Sequence, residues 1–270
     1  MLSIFAWFGY RELAHEESLR LIKRAGFEGV LLWWEDAFDC PQYRQLPAFA
    51  RRIGLFVENI HAPFEDTNHI WEDTADGQAA FECYLQIVED CAQFEIPAMV
   101  MHATYGREYP PASTIGLDRF KRIADLAEHK GVNVAIENMR VPEAIARAAL
   151  VLEQIDSPRL GFCFDSGHYN ARFVQTPGTD MLARFGHRLM ALHLHDNKGF
   201  ITGAGEEDQH LPPFDGNIDW TAQMRAIAAT GYRGPTTLEV CNDGHQDLPP
   251  EEFLALAYER AVRLEQLRNT

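Results

Sequence analysis

Short apolar segments alternate with longer amphipathic segments along the whole chain. Many short segments are apolar without alternating polar residues, as expected for parallel strands that are covered on both faces. The longer segments carry apolar residues at helical spacing, as in FECYLQIVEDCAQF. Strands are predicted at residues 3–7, 29–33, 55–60, 98–102, 133–137, 160–164, 189–194 and 236–240. Helices are predicted near residues 16–24, 42–52, 77–94, 114–130, 142–154, 180–185, 220–230 and 250–267.

Strand and helix segments therefore follow one another in successive units. Glycine marks several places where a helix stops before the next strand, as at Gly26, Gly131 and Gly231. This order predicts an α/β fold of the (β/α)8 TIM-barrel class, built as a single domain over residues 1–270. An open sheet of about six or seven strands is the alternative.

The amino-acid composition indicates which kinds of molecule the protein is expected to bind. Asp and Glu number 40 against 24 Lys and Arg, which gives a formal net charge of −16. This balance disfavours nucleic acid as a partner, because phosphate binding depends on Lys and Arg. The five cysteines are odd in number and widely spaced, so neither disulfides nor a zinc ribbon is expected. The sequence shows neither the pattern of a secretion leader nor an apolar run of bilayer length, which predicts a cytoplasmic protein without a membrane partner.

Ionisable side chains stand at the carboxyl ends of six successive predicted strands, or just past them. They are His61, His102, Glu137, Asp165, His168, His193, His195, Asp196 and Glu239. Taken alone, a histidine or glutamate at such a position is more often a hydrogen-bonded structural residue. Together they would meet at one mouth of a barrel, where burying so many charges is costly without a counter-charge. We therefore predict a divalent metal site, because mixed sets of Glu, Asp and His suit Zn²⁺ or Mn²⁺.

The segment after the seventh predicted strand adds two further candidates. In an extended chain Asp208 and His210 project to the same side, as a pair of metal ligands requires. An exposed acidic turn is the alternative interpretation, since two glutamates precede them. Asp219 is predicted to cap the helix that begins at Trp220.

Five motifs occur in a fixed order: IENMR, FDSGH, ALHLHDNKG, DQHLPPFDGNIDW and TLEV. Over nearly the whole chain, this ordered set resembles the xylose isomerase-like TIM-barrel superfamily. That superfamily contains sugar and sugar-phosphate isomerases and epimerases, and also the endonuclease IV enzymes. Similarity to its ketose 3-epimerases implies one metal, held by Glu137, Asp165, His193 and Glu239. It also implies that Glu137 and Glu239 are the acid/base pair and that His168 contacts the substrate.

Similarity to the endonuclease IV branch implies a different use of the same residues. His61 and His102 would join Glu137 on one zinc, and His168, Asp208 and His210 would hold another. The remaining zinc would take the four ligands that the epimerase branch uses. His61, His102, His168, Asp208 and His210 are therefore candidates for additional metal ligands. Every ligand position of both branches has a suitable residue in this chain, so the ligands alone leave both branches open.

Other features favour sugar chemistry. Aromatic residues are frequent near the predicted strand ends, where they would wall a small-molecule pocket. The predicted substrate contacts are His61, His102, His168, Trp34 and Lys198. Lys198 and Arg140 are also candidate ligands of a phosphate group. The predicted partner is a small sugar or sugar derivative, and homo-oligomer formation stays open.

The leading hypothesis is isomerisation or epimerisation of a sugar, sugar phosphate or polyol through a metal-stabilised cis-enediolate. The cofactor would be a divalent metal, Mn²⁺, Zn²⁺, Mg²⁺ or Co²⁺, which polarises a carbonyl while Glu137 or Glu239 moves a proton. One alternative is a multi-zinc phosphodiesterase that acts on abasic DNA. Another is a sugar-binding protein without catalysis, which is disfavoured because recognition alone needs no paired acid/base carboxylates around a metal.

Overall fold

Parallel strands form the wall of a barrel in the computed structural model, which describes residues 1–34, 36–106, 108–173, 175–200 and 208–270. The strands are β1 (Leu2–Phe5), β2 (Gly29–Trp33), β3 (Phe56–His61), β4 (Ala98–Met101), β5 (Asn133–Glu137), β6 (Leu160–Asp165), β7 (Leu189–His193) and β8 (Thr236–Leu238). Strands that follow one another from β1 to β7 are neighbours in the sheet, and β8 pairs with β1. A parallel bridge between Leu194 and Leu238 joins the β7 and β8 edges and closes the barrel. The predicted (β/α)8 TIM-barrel fold is confirmed.

Helices connect the strands on the outside of the barrel. The α-helices are α1 (His15–Ala25), α2 (Asp36–Asp39), α3 (Leu46–Arg52), α4 (Ala75–Gln93), α5 (Thr114–Lys130), α6 (Pro142–Gln154), α7 (Ser166–Asn170), α8 (Met181–Phe185), α9 (Trp220–Ala229) and α10 (Pro250–Arg268). Short 3-10 helices lie at Pro41–Gln45, Thr67–Trp71, Pro177–Thr179 and Gly186–Arg188. Among the helices of the described residues, none is both long and apolar enough to cross a bilayer.

The main difference from the sequence prediction lies at residues 42–52, which form two helices instead of one. A 3-10 helix comes first, and α3 begins at Leu46. Pro47 sits in the first turn of α3, where its missing N–H is harmless, but it cannot donate the hydrogen bond that a longer α-helix would need there. The helices α2 and α7, which have four and five residues, were not predicted from the sequence.

The interior of the barrel is built from small residues below a polar rim. Val100, Ala135, Cys163 and Ala191 form an apolar cluster on neighbouring strands, separate from the larger core that packs against the outer helices. Side chains two residues apart on a strand share a face. The strands that carry Ala135, Cys163 and Ala191 therefore present their last residues to the same side, at the mouth of the barrel.

A bulge in β3 brings a further carboxyl group into the barrel. Val57 and Asn59 pair with consecutive residues of β2, so Glu58 is the extra residue of the bulge. The Glu58 side chain is buried and accepts a hydrogen bond from the Thr237 hydroxyl at 2.6 Å. Burial raises the pKa of Glu58, and the hydrogen bond from Thr237 opposes this only in part.

Candidate metal centre

Six strands bring ionisable side chains to one mouth of the barrel. They are the last residues of β3, β5, β6 and β7 and the residues directly after β4 and β8, namely His61, Glu137, Asp165, His193, His102 and Glu239. Each has at most 4% of its surface exposed. The closed barrel therefore places in one buried group the residues that the sequence spreads over 179 positions, from His61 to Glu239.

Glu137 is the centre of this group. Its Oε2 lies 3.3 Å from His61 Nε2 and 3.2 Å from His193 Nδ1. Glu239 Oε2 is also 3.2 Å from His193 Nδ1, so the two carboxylates meet at the same ring nitrogen. His102 Nε2 lies 3.7 Å from Glu137 Oε2, on the side of β4.

Within this group, two sets of ligand atoms are close enough together to share an ion. Glu137, Asp165, His193 and Glu239 each offer one ligand atom within 4.8 Å of the others, and so do His61, Glu137 and His193. Glu137 Oε2 and both ring nitrogens of His193 have no hydrogen-bond partner within the part of the chain that the structure describes. Buried polar atoms without partners are costly, and a divalent cation pairs with oxygen and nitrogen ligands of this kind. The residues therefore fit a metal ion.

The charges of the group favour ionised carboxylates. Burial is the largest influence on Glu137 and on Glu239 and would raise the pKa of each. The neighbouring histidines together outweigh it, His193 and His102 at Glu137 and His193 and His210 at Glu239, and hold each pKa below its usual range. Burial likewise would lower the pKa of His193, yet Cys163, Glu239 and Glu137 raise it well above its usual value. Binding of a metal would displace the proton from His193, since a histidine ligand must be neutral. In contrast, burial outweighs the influence of Glu137 at His102 and lowers its pKa, which favours the neutral ring.

A second polar group adjoins the first. His168 Nδ1 lies 3.0 Å from Glu137 Oε1, and His168 Nε2 lies 3.1 Å from Asp208 Oδ2. Asp208 and His210, together with His195, offer ligand atoms within 4.8 Å of one another. Burial alone would raise the pKa of Asp208, but His168, His210 and His195 together outweigh it and hold that pKa well below the usual range. The segment of Asp208 and His210 thus faces the site instead of forming an exposed acidic turn.

Asn138 supports the group and was not predicted from the sequence. Its side-chain amide donates to the carbonyl oxygen of Asp165, and its side-chain oxygen accepts from the N–H of Asp165, both at 2.9 Å. This pair of hydrogen bonds fixes the end of β6 beside the end of β5. The motif IENMR places Asn138 directly after Glu137, but an uncharged amide gives no signal of its own in the sequence.

Asp196, predicted as a residue of the rim, turns away from the mouth. It is fully buried and accepts hydrogen bonds from the Trp220 indole at 2.8 Å and the Phe214 N–H at 2.9 Å. Its role is therefore to fold the connection between β7 and α9. The same connection ends at Asp219, which caps α9 as predicted by accepting from the Ala222 N–H at 3.1 Å.

Aromatic rings line the mouth on the side of β1 to β4. A cavity of about 390 Å³ is bounded by Phe5, Trp7, Trp33, His210, Glu239 and Cys241. Trp33 stacks on His61 with the ring centroids 4.8 Å apart. Phe64 stacks on His102 at 4.9 Å and contacts Tyr105 at 4.2 Å. One half of the mouth is therefore aromatic, and the half formed by β5 to β7 is polar.

The structure does not bring Trp34 to the mouth, in contrast to the prediction. Trp34 is fully buried in the outer core, where it packs against Tyr43 and Phe94 and donates to Asp90 Oδ2 at 2.9 Å. Successive residues of an extended chain point to opposite faces. Trp33 therefore occupies the place at the mouth that was predicted for Trp34.

The predicted phosphate contacts also lie outside the carboxylate group. The side chain of Lys198 is exposed and borders a separate cavity with Asp215 and His245. Arg140 Nε lies 3.9 Å from Asp208 Oδ2 at the polar edge of the mouth. The structure thus joins His61, His102 and His168 to the centre, but not Lys198.

The fold and the buried carboxylate–histidine group define a (β/α)8 barrel with a candidate divalent-metal centre at the carboxyl ends of its strands. The family described as Xylose isomerase-like TIM barrel matches residues 19–260. The chain belongs to this family, which confirms the resemblance of its motifs.

Curated relatives differ in how much of their length this chain covers. The protein named "Uncharacterized protein y4fM" of Sinorhizobium fredii is 28% identical over 288 residues, covering 93% of this chain and 88% of that protein. An inosose isomerase of Bacillus licheniformis is 24% identical over 146 residues, 53% of this chain and 52% of that enzyme. A 3-dehydroshikimate dehydratase of Pseudomonas putida is 23% identical over 275 residues, 93% of this chain but 41% of that enzyme. The similarity to the last two therefore spans about half of each enzyme or less.

Solved structures share the whole barrel. The protein IolI, whose crystal structure holds a zinc atom, is 17% identical with a TM-score of 0.80, covering 98% of both chains. D-psicose 3-epimerase of Clostridium cellulolyticum H10, solved with D-tagatose, is 14% identical with a TM-score of 0.72, covering 99% of this chain and 97% of that one. At these identities the likeness shows the fold.

Proposed function

We propose that this protein is a divalent-metal-dependent isomerase or epimerase of a small sugar or polyol-derived carbonyl compound. The observation that carries the proposal is the pair of buried, ionised carboxylates, Glu137 and Glu239, which meet at His193 within a four-ligand metal set. The presence of an inosose isomerase and a D-psicose 3-epimerase among the similar proteins supports it.

Glu137, Asp165, His193 and Glu239 would hold the metal. When bound, the ion supplies Lewis-acid polarisation of a substrate carbonyl, which acidifies the neighbouring C–H. One of the two glutamates takes that proton, and the other, or the same one, returns a proton to the adjacent carbon or to the opposite face. The substrate passes through its enediolate, and the proton balance closes without a co-reactant. A carboxylate that is also a metal ligand is a weak base, so its closeness to the C–H must compensate.

Three histidines are proposed as substrate contacts. Burial lowers the pKa of His102, and both of its ring nitrogens lack a hydrogen-bond partner among the described residues. In its neutral form it can therefore donate from one nitrogen and accept at the other. At His168, Asp165 and Asp208 outweigh burial and raise the pKa well above its usual value. A charged His168 would stabilise negative charge on a substrate oxygen. His61 is held by its Nδ1, 2.7 Å from the Ala62 carbonyl, which leaves Nε2 toward the centre.

The aromatic half of the mouth favours an unphosphorylated substrate. The residues that bound the 390 Å³ cavity include no Lys or Arg in the described part of the chain, and they include the carboxylate of Glu239. A phosphate group there would meet the like charge of Glu239, and the guanidinium of Arg11, 5.5 Å from the Trp7 ring centroid, does not bound the cavity. The C–H face of a sugar or cyclitol ring, in contrast, can pack on Trp7 and Trp33 while its hydroxyl groups face the polar half.

A multi-zinc phosphodiesterase is the second candidate, and one observation favours it. Beside the four-ligand set, two further groups converge, His61 with Glu137 and His193, and His195 with Asp208 and His210. The net charge of −16 and the aromatic cavity disfavour a grip on DNA, because affinity for the duplex depends on Lys and Arg.

Metal analysis combined with a substrate panel separates the two candidates. The purified protein should bind about one divalent metal tightly, and in D₂O it should exchange a carbon-bound proton of an unphosphorylated ketose or inosose, as followed by proton NMR. Sugar phosphates and an oligonucleotide with an abasic site serve as comparison substrates. About three zinc ions per chain together with cleavage of the oligonucleotide would refute the isomerase and support the phosphodiesterase.

A further inference from the structure

His195 is fully buried behind the proposed metal ligands and contacts one of them closely. Its Nε2 lies 3.0 Å from Asp165 Oδ2 and 3.1 Å from Asp165 Oδ1. Its Nδ1 lies 2.9 Å from the carbonyl oxygen of Gln209. Both partners accept hydrogen bonds, so both nitrogens of the ring serve as donors. A ring held at both nitrogens cannot rotate without breaking a hydrogen bond.

Two residues of the motif FDSGH, Ser166 and Gly167, contact His195 and fix its position. The Ser166 hydroxyl donates to the His195 carbonyl at 2.7 Å and accepts from the His195 N–H at 2.9 Å. A Cβ atom on Gly167 would overlap the imidazole of His195. Gly167 therefore has to be glycine for the ring to reach Asp165, although it lies in a helix, where alanine would otherwise be preferred.

The other face of the ring is covered by the connection that follows β7. The rings of His195 and His210 stack in parallel, with centroids 4.0 Å apart and an angle of 2° between the planes. His210 is itself fixed by its Nδ1, which lies 2.9 Å from the Glu239 carbonyl oxygen. One imidazole thus links the carboxylate of Asp165 on β6 to the segment that carries Asp208 and His210.

We propose that His195 is a positioning residue, which holds the Asp165 carboxylate in the orientation for metal binding and couples it to residues 208–211. The proposal rests on the metal site put forward under the proposed function. Partners behind a metal ligand fix its orientation, and their loss typically costs about 10- to 100-fold in metal affinity. His195 does not touch the substrate side of the centre and is not itself proposed as a ligand.

Two amide substitutions separate its two hydrogen bonds. In His195→Gln the side-chain amide nitrogen can take the place of Nε2 and donate to Asp165. In His195→Asn the amide takes the place of Nδ1, so it keeps the bond to Gln209 and loses the bond to Asp165. Trp34→Phe is the control, because it removes a buried hydrogen bond to Asp90 in the outer core. The dissociation constant of Mn²⁺ is measured by calorimetry on protein that was first stripped with a chelator, together with the melting temperature of the metal-free protein.

The proposal predicts that His195→Asn weakens Mn²⁺ binding by about 10-fold or more, while His195→Gln stays within a few-fold of the wild type. Trp34→Phe should lower the melting temperature without changing the Mn²⁺ dissociation constant. Gly167→Ala gives an independent test, since it displaces the ring without altering a polar side chain, and it should weaken Mn²⁺ binding as His195→Asn does. Unchanged or tighter binding in both His195→Asn and Gly167→Ala would overturn the proposal. Absence of Mn²⁺ and Zn²⁺ binding in the wild type would instead refute the proposed metal site itself, and the positioning role with it.

Discussion

Replacing Glu137 by glutamine tests the proposed acid/base pair most directly. The amide keeps the shape of the side chain but can neither accept the proton nor carry the negative charge. Glu137 is 1% exposed, and its two oxygens lie 3.0 to 3.3 Å from His168, His193 and His61, so the amide fits the same space. The substitution should therefore affect the reaction far more than the fold.

The size of the effect follows from the two roles that Glu137 is proposed to have. A positioned general acid or base typically contributes about 10²- to 10⁴-fold in rate. Loss of a charged metal ligand adds to this, so kcat should fall by at least about 10²-fold. Each factor of ten in rate corresponds to about 1.36 kcal/mol, so the activation free energy should rise by at least about 2.7 kcal/mol.

The assay is turnover at saturating metal and substrate, with the metal content of each sample determined in parallel. Glu251→Gln is the matched control, because that side chain is 61% exposed, lies 3.6 Å from Arg24 and is not one of the residues that bound the cavity, so the change should leave kcat unchanged. Near-normal turnover of Glu137→Gln with a full complement of metal would remove Glu137 from the mechanism.

Three further predictions concern the metal, the mouth and the interior of the barrel. Removing the metal with a chelator should lower the melting temperature. Adding Mn²⁺ or Zn²⁺ at about 100 times its dissociation constant should then raise the free energy of unfolding by about 2.7 kcal/mol. A melting temperature that changes with neither ion would contradict the metal site. Trp33→Ala should raise KM more than it lowers kcat in steady-state kinetics, because the ring lines the cavity without being part of the acid/base pair; a selective fall in kcat would contradict this. Burial raises the pKa of Glu58 in the folded protein above its value in the unfolded chain. The stability that the protonated side chain contributes is therefore fully present below the pKa of the unfolded chain, and it is lost as the pH rises through the pKa of the folded protein. In EDTA, the melting temperature of Glu58→Gln should therefore rise relative to that of the wild type as the pH increases from about 5 to about 8. A difference between the two melting temperatures that does not depend on pH would refute the argument.

The convergence of these ionisable side chains can be predicted from the sequence because the geometry of a parallel barrel is simple. In β5, β6 and β7 the residues just before the last one are apolar, so an ionisable residue at the end stands out, and all carboxyl ends meet at one mouth. Glu137, Asp165 and His193 are found in this way, each as the final residue of its strand. Glu239 follows β8 by one residue and completes the same ring.

The direction of a side chain is harder to predict for the same reason. A strand covered on both faces has no polar alternation, so nothing in the sequence tells which of Trp33 and Trp34 faces the mouth. In the structure Trp33 lines the cavity, whereas Trp34 lies in the core between the barrel and the outer helices. His193 and His195 show a related ambiguity, because both lie at the end of β7 and share one residue type. The contacts of His195 with Asp165 and its packing against Gly167, which only the structure shows, place it behind the ligands.

The choice between an isomerase and a phosphodiesterase cannot come from the ligands, because both branches need the same ring of carboxylates and histidines. It depends on what surrounds that ring. A nuclease must neutralise several phosphates outside its metals, and each needs a Lys or Arg or a backbone N–H directed at the groove. The walls of this mouth are instead made of Phe5, Trp7 and Trp33 on one side and carboxylates on the other, on a chain with a net charge of −16. Such a mouth can bury a neutral ring and form hydrogen bonds to its hydroxyl groups. An isomerase needs both features to bind a sugar or cyclitol.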